Sequence, residues 1–143
     1  METTLSPYLL IFRNTSSESY QGLSPEQRQD LLRQWNDWYD RLANNGKVQH
    51  GHPLELAGRI VTHSGVTDGP FAEAKEAVGG YFFITASSLD EATEIAQQCP
   101  SLCHGITVEV RPVGQICPTL SAKPIGVRME GARSYKQNSN FEQ

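Results

Sequence analysis

The chain has 143 residues, of which 38% are hydrophobic and 20% are charged, so it fits one globular domain and is too apolar for a disordered protein. Its formal net charge of −4 disfavours direct contact with nucleic acid or an anionic membrane, since both require a dominant basic surface. No apolar run approaches the length of a membrane helix, and residues 1–7 lack the pattern of a signal peptide. Three cysteines without a paired spacing indicate free thiols, and we expect a cytoplasmic protein.

The first elements are a predicted strand and a predicted helix. The apolar run Tyr8–Phe12 indicates a central strand, and a polar loop follows it. Ser24, Pro25 and Gln27 then form a typical helix start, in which serine and glutamine make a capping box. Apolar residues continue at helical spacing until Gly46, which favours the left-handed conformation that ends a helix.

Shorter extended segments follow this helix. Residues 47–56 and 59–62 are predicted strands, and a turn at 63–65 closes a hairpin-like region. A glycine pair, 79–80, opens the next strand at 81–84, which is rich in aromatic and β-branched residues.

The last elements are a second helix and a final strand. Ser88 and Glu91 predict a capping box, and Pro100 is expected to end the helix. The alternating segment Ile106–Arg111 predicts a strand that Pro112 stops. The domain is thus expected over residues 1–113, with residues 114–143 as a C-terminal extension or tail.

This order predicts an α+β fold of the ferredoxin-like βαββαβ type, with an antiparallel sheet and two helices on one face. The second face of such a sheet lacks a cover within one chain. Apolar residues there favour a partner sheet, so we expect a homodimer.

Four segments together carry a resemblance to a known family. Val66–Glu76 (VTDGPFAEAKE) leads into Val78–Tyr81 (VGGY), with Gly51–Glu55 (GHPLE) before it and Val108–Pro112 (VEVRP) in the last strand. In this order they resemble the DGPF branch of YCII-related proteins. The likeness extends over Tyr8–Val113 and leaves the C-terminal tail outside.

The resemblance implies a dimeric α+β barrel, in which the sheets of two chains face each other. Many members of this family have no established activity, some relatives in the wider superfamily act on lactones or chlorinated hydroxyquinones, and other DGPF proteins are linked to extracytoplasmic-function sigma factors. YCII proteins outside this branch usually carry a histidine in the first helix and an aspartate just before its terminal glycine. Spacing from Gly46 places Gln34 and Asn44 at these positions, and neither amide titrates near neutral pH.

His50 and His52 are separated by one residue, so in an extended segment both side chains leave the same face. That geometry can chelate a divalent metal if Asp68, Glu55 or His63 adds a third ligand, but two histidines fall short of a metal site, and two partly exposed imidazoles are the favoured explanation. The sequence therefore predicts no metal or organic cofactor, and His52 alone is a candidate general base.

Asp68, Arg13 and Arg111 complete the candidate site. Asp68 is either the first residue of an Asp-Gly-Pro turn or a carboxylate at the mouth of a pocket. Arg13 and Arg111 end strands that should be neighbours, where they either hold a carboxylate ligand or form surface ion pairs with Glu109 or Glu55. The aromatic residues of the first helix are expected to pack in the core or dimer interface.

Two functions fit these residues. The first is a non-catalytic dimeric module that binds a small ligand or a protein partner, which the absent histidine–aspartate pair favours. The second is a cofactor-independent lyase or isomerase for a small cyclic or acidic metabolite. In that enzyme His52 and Asp68 would be catalytic, and Arg13, His50 and Arg111 would bind the ligand.

Overall fold

The structure is a computed structural model that describes residues 4–15, 17–68, 77–115 and 119–120. Its elements lie in the compact unit Met1–Pro112. Most of the DGPF segment and of the predicted tail 114–143 lies outside the described residues. In chain order the strands and helices are β1 Ser6–Arg13, α1 Pro25–Asn44, β2 Val48–Pro53, β3 Arg59–Thr62, β4 Gly65–Asp68, β5 Val78–Ala86, α2 Leu89–Ala96 and β6 Thr107–Pro112, with 3₁₀ turns at Ser17–Tyr20 and Leu102–His104.

Four of the strands form one antiparallel sheet in the order β2-β5-β1-β6. α1 connects β1 to β2 and α2 connects β5 to β6, so each helix links two strands that are not adjacent. This is the ferredoxin-like α+β arrangement that the sequence predicts. Among the described helices, none combines the length and apolar composition that a membrane span requires.

The ends of α1 lie where local chemistry predicts them. The Ser24 hydroxyl accepts a hydrogen bond from the backbone N–H of Gln27, whose side chain accepts one from the backbone N–H of Ser24. Both bonds satisfy amides that a helix start leaves unpaired. Beyond the other end, Gly46 has a φ of 70° and supplies the left-handed residue.

α2 departs from the prediction in two ways. It ends at Ala96, before the proline that was expected to stop it. Ser88 is the N-cap, but the Glu91 carboxylate accepts from the backbone N–H of Ser87 instead of Ser88, so the reciprocal capping box is wrong by one residue. This backbone hydrogen bond, with a smaller contribution from Lys47, lowers the pKa of Glu91 below its ordinary value.

The core lies between the sheet and the two helices. Alternate residues of β1 and β5, such as Leu10 and Ile84, are fully buried with Trp38 of α1 and Ala92 of α2. Both helices therefore pack on one sheet face, as predicted. The opposite face, called the open face below, carries half-buried side chains on the same strands, including the cross-strand pairs Leu9–Phe83 and Ile11–Tyr81.

β3 and β4 form a separate two-stranded hairpin. β3 matches its predicted bounds, whereas β4 was not predicted. All eight residues of the hairpin are exposed, including the cross-strand pair Val61 and Val66. An isolated hairpin of this kind gains little stability in water, so its sequence alone gives a weak strand signal.

Candidate functional site

A cavity of about 480 Å³ opens between α1 and the sheet. Its walls include five aromatic side chains, and we call it the aromatic pocket: Phe12, Tyr20, Trp35, Tyr39 and Phe82. They come from β1, a 3₁₀ turn, α1 and β5, so the pocket exists only in the folded chain. Its volume lies in the range of cavities that hold small organic molecules.

α1 presents two parallel rows of side chains to this region. Leu31, Trp38 and Leu42 are buried and hold the helix on the core. The neighbouring row, Leu32, Trp35, Asn36 and Tyr39, lines the pocket with helical spacing. Within that row Leu32 is 60% exposed, so it lies at the mouth and not in the core.

The aromatic rings support one another through edge-to-face contacts. Trp35 meets Phe12 with ring centroids 4.9 Å apart and planes at 87°. Tyr39 meets Phe82 at 5.2 Å and 77°, and Phe12 meets Phe82 at 5.0 Å and 88°. These geometries are the favoured ones for aromatic pairs, so they hold the pocket walls in fixed orientations.

Ser101 orients two of the aromatic walls, Trp35 and Tyr20, through hydrogen bonds. Its fully buried hydroxyl oxygen accepts hydrogen bonds from the Trp35 indole Nε1–H, at 2.8 Å, and from the Tyr20 hydroxyl, at 3.1 Å. Burial raises the pKa of the Tyr20 hydroxyl, and the Ser101 hydrogen bond opposes the shift only in part. Tyr20 is consequently uncharged near neutral pH.

Glycines bring the backbone close to the floor of the pocket. A Cβ atom on Gly51 would overlap the Phe82 ring and lie 2.8 Å from the Tyr81 carbonyl oxygen. One on Gly79 would overlap the Thr15 side chain. Any larger residue at either position would displace a group that shapes the cavity.

The polar residues of the described lining are few. Thr15 and Asn36 have its non-aromatic polar side chains, His52 is a further lining residue, and the described lining contains no aspartate, glutamate, lysine or arginine. Within the described part of the chain, neither Thr15 nor Asn36 has a side-chain hydrogen bond to another residue. Both therefore retain donors and acceptors for a ligand.

A larger hollow of about 590 Å³ lies at the start of α1, beside Gln34 and His104. It is shallower and lined mostly by the polar side chains that cap and begin the helix, with Gln34 already bonded to Asp30 at 2.9 Å. Convergent apolar walls are what distinguish ligand sites from surface hollows. The smaller aromatic pocket is therefore the better candidate.

The predicted histidines lie side by side on the edge strand β2. His50 pairs in register with Phe83 and His52 with Tyr81, so both belong to the open face, as their spacing predicts. The His50 ring stacks on Phe83 at 5.1 Å, and its Nδ1 lies 3.2 Å from the Tyr81 hydroxyl. His52 also contributes to the lining of the aromatic pocket, which makes it the predicted residue that the structure brings to the site.

The predicted arginines lie across the sheet and form ion pairs. Arg13 and Arg111, on the neighbouring strands β1 and β6, contact the Glu109 carboxylate at 2.7 Å and 3.0 Å. These hydrogen bonds lower the pKa of Glu109 below its ordinary value. The surface ion pairs weighed in the sequence are thus the observed arrangement, and neither arginine belongs to the described lining of the aromatic pocket.

Asp68 ends strand β4 and forms an ion pair with Arg59 at 3.0 Å, with both side chains largely exposed. The pocket lining does not include it in the part of the chain described. Among the described residues, no three or more histidine, cysteine or acidic side chains are grouped so that they could hold a metal ion. The rest of the expected turn, residues 69–70, lies outside the described ranges.

Sequence reasoning missed the residues that build the pocket. Trp35 and Tyr39 were expected to pack in the core, and they do pack against it, but they also line the cavity. Thr15, Asn36 and Ser101 carry no motif. One signal in the sequence could have found them. The apolar face of the first helix is wider than contact with the core alone requires, because a second row of apolar residues lies beside the buried row.

Comparison with known proteins places the chain in a family. The sequence model of the YCII-related domain family matches residues 8–116 of this chain. An uncharacterized protein of Rhizobium meliloti (strain 1021) is 33% identical over 84 residues, which are 56% of this chain and 68% of that relative.

Two solved structures are similar to this chain at low identity. One is a 5-chloro-2-hydroxyhydroquinone dehydrochlorinase from Burkholderia phenoliruptrix, in complex with 2,5-dihydroxybenzoquinone (21% identity, TM-score 0.46, covering 76% of this chain and 94% of that one). The other is a hydroxynitrile lyase from Passiflora edulis (13% identity, TM-score 0.36, covering 82% and 100%). The family match spans most of the chain and all of the four-stranded sheet except the first two residues of β1. This chain belongs to the YCII-related domain family.

Proposed function

We propose that this protein is a small-ligand-binding module whose ligand occupies the aromatic pocket. The observation that carries the proposal is the cavity of about 480 Å³ with five aromatic walls and with the polar side chains of Thr15 and Asn36 in its lining. Such a combination is typical of sites for small organic molecules. The rigid edge-to-face contacts and the Ser101 hydrogen bonds support it, because a preformed site loses little entropy on binding.

Binding is tested with naphthalene-based fluorescent probes titrated into the full chain. We expect saturable binding that weakens in Leu32→Ala and Tyr39→Ala, which remove contact area from the mouth and wall. Gln29→Ala is the matched control, since it truncates an exposed residue of the same helix outside the pocket. Equal binding by all three variants and the wild type would place the ligand elsewhere and contradict the proposal.

We further propose that the functional unit is a homodimer formed through the open face. Half-buried apolar residues on that face, such as Leu9, Ile11 and Phe83, favour a second copy, because a sheet with one packed face needs a cover for apolar residues on the other. Light scattering should give a dimer mass for the wild type and for Gln29→Arg, and a smaller mass for Ile11→Arg. A monomeric wild type at micromolar concentration would contradict a stable dimer.

A second candidate function is proton-transfer catalysis without a cofactor. The observation that favours it is that His52, whose imidazole belongs to the side chains most often used as general bases, is a residue of the pocket lining. In this version His52 is the base and a bound cyclic metabolite is the substrate. Solvent deuterium exchange into a bound ligand, lost in His52→Gln and retained in Gln29→Ala, would support catalysis. Exchange that is unchanged in His52→Gln would exclude His52 as the base.

A further inference from the structure

We infer that the aromatic pocket selects uncharged aromatic ligands and discriminates against both carboxylates and ammonium ions of the same ring system. This inference rests on the proposed binding function and names the chemical class of its ligand. It differs from the acidic metabolite that the arginines suggested, because those arginines are paired with Glu109.

The first support is the composition of the walls. The described lining offers five aromatic rings, Leu32, Pro53 and glycine backbone, and it contains no aspartate, glutamate, lysine or arginine. An ionised ligand entering this cavity loses hydration, and no carboxylate, ammonium or guanidinium group of the described lining replaces it. A neutral ring loses much less, since the surface it gives up to the walls is apolar.

The second support is that the arginines considered for the site, and Arg28 at the start of α1, already have partners. Arg13 and Arg111 hold the Glu109 carboxylate between them. Arg28 donates to the backbone oxygens of Tyr20, at 2.9 Å, and Leu23, at 3.3 Å. These contacts position Arg28 on the loop that carries Tyr20, and its side chain does not belong to the described lining.

The third support is the orientation of the aromatic rings, which contact one another edge to face. An ammonium ion is attracted by the faces of aromatic rings, so it needs free ring faces around it. Here Trp35 and Tyr39 meet Phe12 and Phe82 edge to face, so part of the electron-rich ring surface is already occupied by neighbouring ring edges. The polar ends of Trp35 and Tyr20 are held by Ser101, which leaves largely apolar ring surface for a ligand.

The fourth support is the position of the remaining polar groups. The Thr15 hydroxyl and the Asn36 amide both border the cavity, and both can donate and accept hydrogen bonds. They suit a hydroxyl or carbonyl substituent on the ring. The ligand class is therefore a flat, uncharged aromatic ring with one or two hydroxyl or carbonyl substituents.

The test compares three probes with one ring system: 2-naphthol, 2-naphthoate and 2-naphthylmethylammonium, titrated into the full chain at pH 7 and physiological salt. We expect 2-naphthol to bind at least about tenfold more tightly than either ion, because of the uncompensated desolvation of the charge. Leu32→Ala should weaken 2-naphthol binding, and since this residue is largely exposed, its truncation does not threaten folding. Gln29→Ala should bind as the wild type does.

Each outcome separates this inference from the binding function. Equal or tighter binding of either ion, with the Leu32→Ala effect intact, would overturn charge selection and leave the binding function standing. Failure of all three probes to bind would contradict both. Asn36→Asp adds an independent measure: a carboxylate in the lining should increase the affinity for the ammonium probe relative to 2-naphthol, whereas Gln29→Glu outside the pocket should leave that ratio unchanged.

Discussion

Trp35 and Ser101 lie 66 positions apart in the chain, and the indole Nε1 of Trp35 donates a hydrogen bond of 2.8 Å to the Ser101 hydroxyl oxygen. This bond ties the pocket side of α1 to the connection between α2 and β6. Because the Ser101 hydroxyl oxygen also accepts a hydrogen bond from the Tyr20 hydroxyl, one buried oxygen orients two of the five aromatic walls. The shape of the pocket therefore depends on a residue that does not line it.

Ser101→Ala should destabilise the fold and weaken ligand binding together. The substitution leaves two donors without their acceptor, and an unsatisfied buried donor costs about 1–3 kcal/mol of unfolding free energy. Urea unfolding followed by tryptophan fluorescence at fixed protein concentration measures the change. Ser64→Ala, in the exposed turn of the hairpin, is the control and should change the unfolding free energy by less than half as much. Equal changes in the unfolding free energy of Ser101→Ala and Ser64→Ala would show that the Ser101 hydrogen bonds do not stabilise the fold.

Gly51→Ala should destabilise the sheet below the pocket. Its new methyl group would overlap the Phe82 ring and crowd the Tyr81 carbonyl oxygen, which belongs to the neighbouring strand. Overpacking of this kind costs about 1–3 kcal/mol, and moving the Phe82 ring also alters the pocket wall. Gly22→Ala is the matched control, since nothing lies within 4 Å of a Cβ at that position. If Gly51→Ala kept the wild-type melting temperature, the Phe82 ring would be able to move aside without loss of stability, and the prediction would be wrong.

Cys99 should make the fold less stable at alkaline pH. Burial raises the pKa of its thiol from 9.0 to about 11, so above pH 9 the unfolded chain releases a proton that the folded chain retains. The unfolded state is then favoured, and the stability contributed by the protonated thiol is lost between about pH 9 and pH 11.

The difference between wild type and Cys99→Ala isolates this contribution from those of tyrosines and lysines. The loss of stability on going from pH 8 to pH 10 should be larger in the wild type than in Cys99→Ala, and Cys103→Ala should behave as the wild type because its thiol is exposed. Parallel pH profiles for wild type and Cys99→Ala would contradict the expected burial of the thiol in the folded state.

Local chemistry made the scaffold predictable, whereas the pocket depends on contacts between distant segments. Ser24 and Gln27 fix the start of α1 through bonds three residues apart, so the sequence alone locates it. By contrast, Trp35 belongs to the site only because Tyr20 and Ser101 converge on it, and neither of them stands in a periodic pattern. The Glu91 bond to Ser87 shows that even a local motif can shift by one residue.

Asp68→Asn should leave the stability of the fold nearly unchanged. Its ion pair with Arg59 has both side chains more than two-thirds exposed, at 74% and 77%, and pairs of this kind contribute about 0–1 kcal/mol. This near-neutrality makes the variant a clean functional probe, unlike Ser101→Ala. If Asp68→Asn keeps its melting temperature and its affinity for 2-naphthol, the hairpin carboxylate acts neither in folding nor in the pocket. A loss of affinity or turnover without a loss of stability would instead bring Asp68 into the site, as the sequence first suggested.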